Sequence, residues 1–119
     1  MKKLLVLLIG FVLYSCSNTK DYENIAGKWK CSNWIIESTG EDKCNNNVFF
    51  EFRKDKTYTS KIGDLEESGV YQIAEGTLYS TPEGKMEIGV EITVLNRDTL
   101  QFVMSRSGVK EVLTLLHQK

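Results

Sequence analysis

Lys85-Met86-Glu87-Ile88-Gly89-Val90-Glu91-Ile92-Thr93-Val94-Leu95 carries the plainest pattern in the chain. Met86, Ile88, Val90, Ile92 and Val94 take every second position, with Glu87, Gly89, Glu91 and Thr93 between them. Successive side chains of a strand point to opposite faces, so these apolar residues share one face. At ~3.4 Å per residue, the nine residues from Met86 to Val94 make a strand of roughly 30 Å, longer than most. A long strand that is dry on one side and wet on the other belongs to an antiparallel sheet around a core.

The rest of the chain repeats this grammar in shorter pieces. Gly27-Lys28-Trp29 opens a first strand with Trp29 and Cys31 on one face. The alternation breaks near Ser32-Asn33, and Trp34 and Ile36 then take the apolar phase, which predicts a bulge. Residues 38–47 are turn formers throughout. A second strand over 48–53 turns Phe50 and Phe52 inward, and Tyr58, Ser60 and Ile62 alternate on a third. Tyr71 and Ile73 share a face of the fourth (69–73), and residues 77–80 form a short fifth. Pro82 falls in the turn before the long sixth strand. Leu100, Phe102 and Met104 mark the seventh, and residues 109–116 the eighth. Turns of a few residues join sequence neighbours. The pattern therefore predicts an all-β fold, an eight-stranded antiparallel up-and-down barrel whose closure removes exposed edges. A two-sheet sandwich is the alternative, but its Greek-key crossovers need longer connections.

The first residues read as an address. Lys2 and Lys3 precede an apolar run over 4–13, too short to span a bilayer, so residues 1–15 are expected to be a signal peptide. Leu13-Tyr14-Ser15-Cys16 resembles the lipobox of bacterial lipoproteins. That resemblance implies cleavage before Cys16 and acylation of its sulfur and amino group. An ordinary secretory signal ending near a cysteine is the alternative. Residues 16–26 then read as the lipidated cysteine and a polar tether without periodicity, and 27–117 as the barrel domain. Each buried methylene of the acyl chains contributes ~0.8 kcal/mol to membrane binding.

Of the 15 basic and 16 acidic residues, Lys2 and Lys3 leave with the signal, so 13 face 16 and the net charge is −3. No basic stripe is present, which argues against a nucleic-acid partner. Cys31 and Cys44 remain, and in an oxidising envelope they read as one disulfide. Closing a loop of about 14 residues would stabilise the fold by ~3 kcal/mol. Two separate buried thiols remain the alternative. A hairpin turning over 38–43 sets Cys31 opposite about Phe50, so pairing requires an irregular loop.

His117, the single histidine, reads as a solvated strand terminus, and no nucleophile motif surrounds it. The carboxylates fall mostly on turns and outward positions, Glu87 and Glu91 among them. Two cysteines with a remote histidine lack zinc spacing, and no helix follows Gly84 or Gly89 to cradle a phosphate. The chain is not expected to be an enzyme or to carry a cofactor or metal.

Gly27-Lys28-Trp29, Phe50-Glu51-Phe52 with Tyr58, Gly69-Val70-Tyr71-Gln72-Ile73, Leu78, Ile92, Leu95 and Asp98-Thr99-Leu100 stand in this order across residues 27–115. Together they resemble the lipocalin-like lipoproteins of Gram-negative bacteria. The resemblance implies a lipid-anchored envelope protein, and Ser17 after Cys16 resembles the outer-membrane sorting pattern. In full-length lipocalins the first-strand tryptophan closes one end of the barrel and a late arginine packs across it. Trp29 matches that tryptophan, whereas Arg97 and Arg106 lie in turns and the last strand ends in His117-Gln118-Lys119. Asp98-Thr99-Leu100 also resembles a short bacterial O-glycosylation sequon centred on Thr99, and a hairpin start explains it equally.

Two roles follow. The inward aromatics Trp29, Phe50, Phe52, Tyr58, Tyr71 and Phe102 would line a site for a small apolar ligand. Eight strands enclose little more than their own side chains, so a largely packed barrel with a shallow cavity at one mouth is expected. The alternative is a fully packed protein-interaction module, an inhibitor or accessory subunit in the envelope. It would present the loop over 38–47, pre-organised by the disulfide.

Overall fold

The structure, a computed structural model, describes residues 19–44 and 47–118. Residues 1–15, Cys16 and Ser17 lie outside the described residues, so the expected signal peptide and lipidation fall there. Eight strands follow in order: β1 (Gly27–Ile36), β2 (Val48–Phe52), β3 (Thr57–Ile62), β4 (Leu65–Ala74), β5 (Thr77–Pro82), β6 (Ile88–Leu95), β7 (Thr99–Arg106) and β8 (Val109–Gln118). Each pairs antiparallel with its sequence neighbours, and β8 returns to β1. The result is the closed up-and-down barrel expected from the alternation. Its core includes Trp29, Trp34, Val48, Phe52, Ile73, Leu78, Leu100, Phe102, Leu113 and Leu115. Burying a large apolar side chain contributes ~1.5–3 kcal/mol, so this interior is the main source of stability.

The slip expected in β1 is present. The β1–β8 register shifts between Cys31 and Asn33, which returns Trp34 to the inward face. Asp98-Thr99-Leu100 does begin a strand, because Asn96 Oδ1 accepts from the Asp98 and Thr99 amides at 2.9 and 2.8 Å.

The stretch over 85–95 departs from expectation in two ways. β6 begins only at Ile88, and Met86 before it is 87% exposed. The β6–β7 register also shifts: Ile92 faces Phe102, Val94 faces Gln101 and Leu95 faces Leu100. Thr93 is the extra residue of a bulge, and its hydroxyl donates to Gln101 Oε1 at 2.9 Å. A bulge of one residue reverses every face beyond it, so Val94 turns outward and Leu95 takes the inward place. The dry face of β6 is thus Val90, Ile92 and Leu95, packed on the core.

A third departure lies at the start. Residues 19–25, expected as tether, form a short helix (α1) against one end of the barrel. Ile25 is completely buried, and its carbonyl accepts from Trp29 Nε1 at 2.8 Å. Tyr22 meets a different need. β3 pairs with β4 only as far as Thr57 and Val70, which leaves the β4 edge beyond it without a strand. Lys56 O accepts from the Tyr71 amide, and Tyr22 Oη accepts from the Ile73 amide at 2.9 Å. Buried amides must find acceptors, and α1 supplies the last one. At Gly27 the chain turns from α1 into β1 at φ 134°, with the His117 ring where a Cβ would stand. Only glycine fits there.

Candidate functional site at the barrel mouth

The turns over 53–56, 75–76 and 96–98 gather with α1 at one end of the barrel. The loop over 37–47 and the turns over 63–64, 83–87 and 107–108 gather at the other. The first end is packed around Trp29 and Tyr71 among the described residues. Trp29 is fully buried, and the His117 ring meets it edge-on at 5.0 Å. Tyr71 donates its hydroxyl to Arg53 O at 2.6 Å and lies 6.0 Å from the Tyr22 ring. Burial pushes the Tyr71 hydroxyl up to about 12, with Tyr22 and Asp55 adding to it. Trp29 and Tyr71, expected to bind ligand, are therefore parts of the packed end. His117 is likewise no solvated terminus: the β1–β8 register sets it opposite Trp29 and half-buries its ring. It covers the tryptophan where the resemblance implied an arginine.

The other end is hollow. A cavity of about 290 Å³ opens there, and Phe50, Phe52, Tyr58 and Phe102 line it. Those four expected residues are thus brought together. Phe102 meets Phe50 edge-on at 6.1 Å, and Phe50 stacks on Phe52 at the same distance. Leu78, Val90 and Met104 extend the apolar wall, while Ser60, Ser80 and Glu67 supply a polar one. Glu67 Oε2 lies 3.5 Å from Lys85 Nζ at the rim. Burial raises the Tyr58 hydroxyl above its ordinary value, and the Glu67 charge adds to this, while a hydrogen bond with Ser80 opposes it. Pro82, expected in a turn, ends β5 inside this wall, with the Thr81 carbonyl pressed against Gly69 where no Cβ would fit. Glu67 was not singled out by sequence reasoning. It shares the phase of Tyr71 and Ile73 on β4, which is the signal that reveals it.

Beside the mouth, residues 37–44 replace a missing strand. β2 pairs with β1 only over residues 27–30, so the outer half of β1 lacks that neighbour. The loop folds back along it instead. Ile36 N donates to Glu41 O at 2.9 Å, Lys43 N to Trp34 O at 2.8 Å, and Ile35 bridges Asp42. Asp42 Oδ1 accepts from the Trp34 and Cys44 amides, which hold its carboxyl below the usual range. Cys31 and Cys44 are bonded as a disulfide with Cα atoms 5.8 Å apart. The pairing therefore uses the irregular loop it required, and Phe50 faces Trp29 rather than Cys31.

Glu111 is an exception to the outward placement expected of most carboxylates. It is buried on the inward face of β8, accepting from Trp34 Nε1 at 2.7 Å with Lys43 Nζ 3.9 Å away. The Lys43 ammonium also sits 5.6 Å above the Trp34 ring. The alternation Glu111, Leu113, Leu115 carries this placement in the sequence. Among the described residues no three His, Cys, Asp or Glu side chains are grouped to hold a metal ion.

A family model for the lipocalin-like domain matches residues 25–102, and the chain belongs to that family. Its fold is similar to that of a lipocalin-like protein from Bacteroides uniformis, at 14% identity and a TM-score of 0.58 over 76% of this chain and 96% of that one. An uncharacterized protein from Bacteroides eggerthii is similar at 12% identity and a TM-score of 0.59, with 76% and 98% covered. A redesigned β-barrel matches at 19% identity and a TM-score of 0.56, over 84% and 96%. No curated protein matches the chain. At these identities the solved structures speak for the fold.

Proposed function

We propose that this chain is a lipid-anchored envelope protein of a Gram-negative bacterium, held at the outer membrane through Cys16, that binds a small apolar ligand in its barrel mouth. The observation that carries the ligand reading is the asymmetry of the interior: among the described residues one end is packed, and the other keeps about 290 Å³ above four aromatic rings. Cavities of this kind, apolar with a few polar groups, are where small molecules bind, although this one lies at the small end of the range. The anchor reading rests on the lipobox-like residues before Cys16. From Cys16 to Thr19 the chain reaches at most ~11 Å. An anchor there would set the packed end against the bilayer and point the mouth away from it.

Native mass spectrometry of the protein extracted from its own membrane tests both parts. The expected spectrum carries an acylated Cys16 and a population with a small-molecule adduct. A clean apo mass from gentle extraction, with no fluorescent apolar probe retained, removes the ligand reading. An unmodified, uncleaved N-terminus removes the anchor.

A second reading, an interaction module, draws on the same end of the barrel. The disulfide and the Asp42 hydrogen bonds pre-organise the loop over 37–47, which lowers the entropy lost on docking. Crosslinking in intact envelopes that captures one partner through Glu41 or Lys43 supports it, and capture of nothing above background counts against it.

A further inference from the structure

The cavity is one-sided in charge, and most of its hydroxyls lie on the charged side. Tyr58 and Ser60 on β3 and Ser80 on β5 set hydroxyls on one wall, with the Glu67 carboxylate on β4 between those strands. Val90, Phe102 and Met104 make most of the facing wall from hydrocarbon and thioether, with Ser105 beside them on β7. Among the described residues lining the space, Glu67 is the only charged one. Its partner Lys85 is 58% exposed and 3.5 Å away, an ion pair of the weak, screened kind. An ammonium brought by a ligand can therefore take the place of Lys85 with little loss. A carboxylate brought to the same place meets a like charge beside a low-dielectric wall, where repulsion is strong. Tyr58 already feels that field, since Glu67 contributes to holding its proton on.

The volume limits the occupant. A cavity of about 290 Å³ lies at the small end of those that take small molecules, which suits a short chain. Such a chain would run from the aromatic floor toward the rim.

We propose that the mouth recognises a cationic amphiphile, an aliphatic amine whose ammonium sits on Glu67 in place of Lys85, and selects against the carboxylate of a fatty acid. This rests on the ligand-binding reading above and narrows it. The exposed Leu65, Met86 and Ile88 at the same end continue the hydrocarbon surface outward from the cavity, so an alkyl chain meets apolar contacts before it enters.

The test uses the full acylated chain in zwitterionic nanodiscs at mildly alkaline pH. Three photoreactive probes share one ten-carbon chain with a mid-chain diazirine and end in an amine, an alcohol or a carboxylate. Labelling of Val90, Phe102 and Met104 is read by mass spectrometry across probe concentration. The amine is expected to half-saturate the site at a roughly tenfold lower concentration than the alcohol, a difference of ~1.4 kcal/mol, with the carboxylate weakest. Glu67→Gln should bring the amine-to-alcohol ratio down to about one, and Lys85→Met should raise it. Equal or better labelling by the carboxylate, or an unchanged amine-to-alcohol ratio in Glu67→Gln, overturns this inference and leaves the ligand-binding reading standing. Labelling of those residues by none of the three probes overturns both.

Discussion

At one end of the barrel Trp29 is wholly buried beneath Ile25, while at the other Met86 is 87% exposed. Both residues follow from the same alternation of apolar and polar positions, so hydrophobic pattern alone does not decide which is hidden. Cover decides it. The packed end has α1, which supplies the Ile25 carbonyl to Trp29 Nε1 and the Tyr22 hydroxyl to the Ile73 amide. The open end has no such lid among the described residues; residues 41–43 lie along β1 rather than across the mouth. An apolar wall without a lid is a cavity, and the same wall with one is a core.

Substitutions at the two ends should therefore separate widely. Trp29→Ala empties the space beneath α1 and should destabilise the fold by ~3–5 kcal/mol. Ile88→Ala at the rim should fall within ~0.5 kcal/mol. Urea midpoints for the two variants settle the matter, and similar losses would break the comparison. The next largest effect sits beside the mouth. Replacing Cys31 and Cys44 together by alanine opens a loop with a sequence separation of 13 and should cost ~3 kcal/mol. A wild-type protein that loses nothing on reduction would show that Asp42 and Lys43 hold the loop by themselves.

A smaller effect carries a pH signature. Tyr71→Phe removes the hydrogen bond to Arg53 O and should cost ~1 kcal/mol at neutral pH. The folded Tyr71 hydroxyl is raised to about 12, above the ~10 of an unfolded tyrosine. Its contribution is therefore fully present below pH ~10 and is lost as pH climbs toward 12. Alkaline titration followed by circular dichroism should show a steep loss of stability in that window for the wild type and a shallower one for Tyr71→Phe. Parallel curves would mean the proton on Tyr71 is not linked to folding. The smallest effect is expected from Met86→Ser, within ~0.5 kcal/mol, because this side chain has almost no packing to lose.

Glu67 and Glu111 show how far the candidate site was legible. Each stands in the inward phase of its strand, with Tyr71 and Ile73 on β4 and with Leu113 and Leu115 on β8. Phase was readable, but a carboxylate on an inward face is counted as outward by composition. Its partners, Lys85 in one case and Trp34 with Lys43 in the other, come from distant parts of the chain. Four of the six aromatic residues expected at the site do line the cavity, and Trp29 and Tyr71 do not. Alternation tells which face a ring is on and says nothing of its height along the barrel axis.

Strand order, the closed antiparallel barrel, the β1 slip and the inward aromatics followed from local pattern and short turns, because both are properties of neighbours in the chain. The β6 bulge at Thr93, the docking of α1, the loop laid along β1 and the split into a filled end and a hollow one required the fold. Each depends on where a partner strand stops and on what then covers the uncovered backbone, which are facts about residues far apart in sequence.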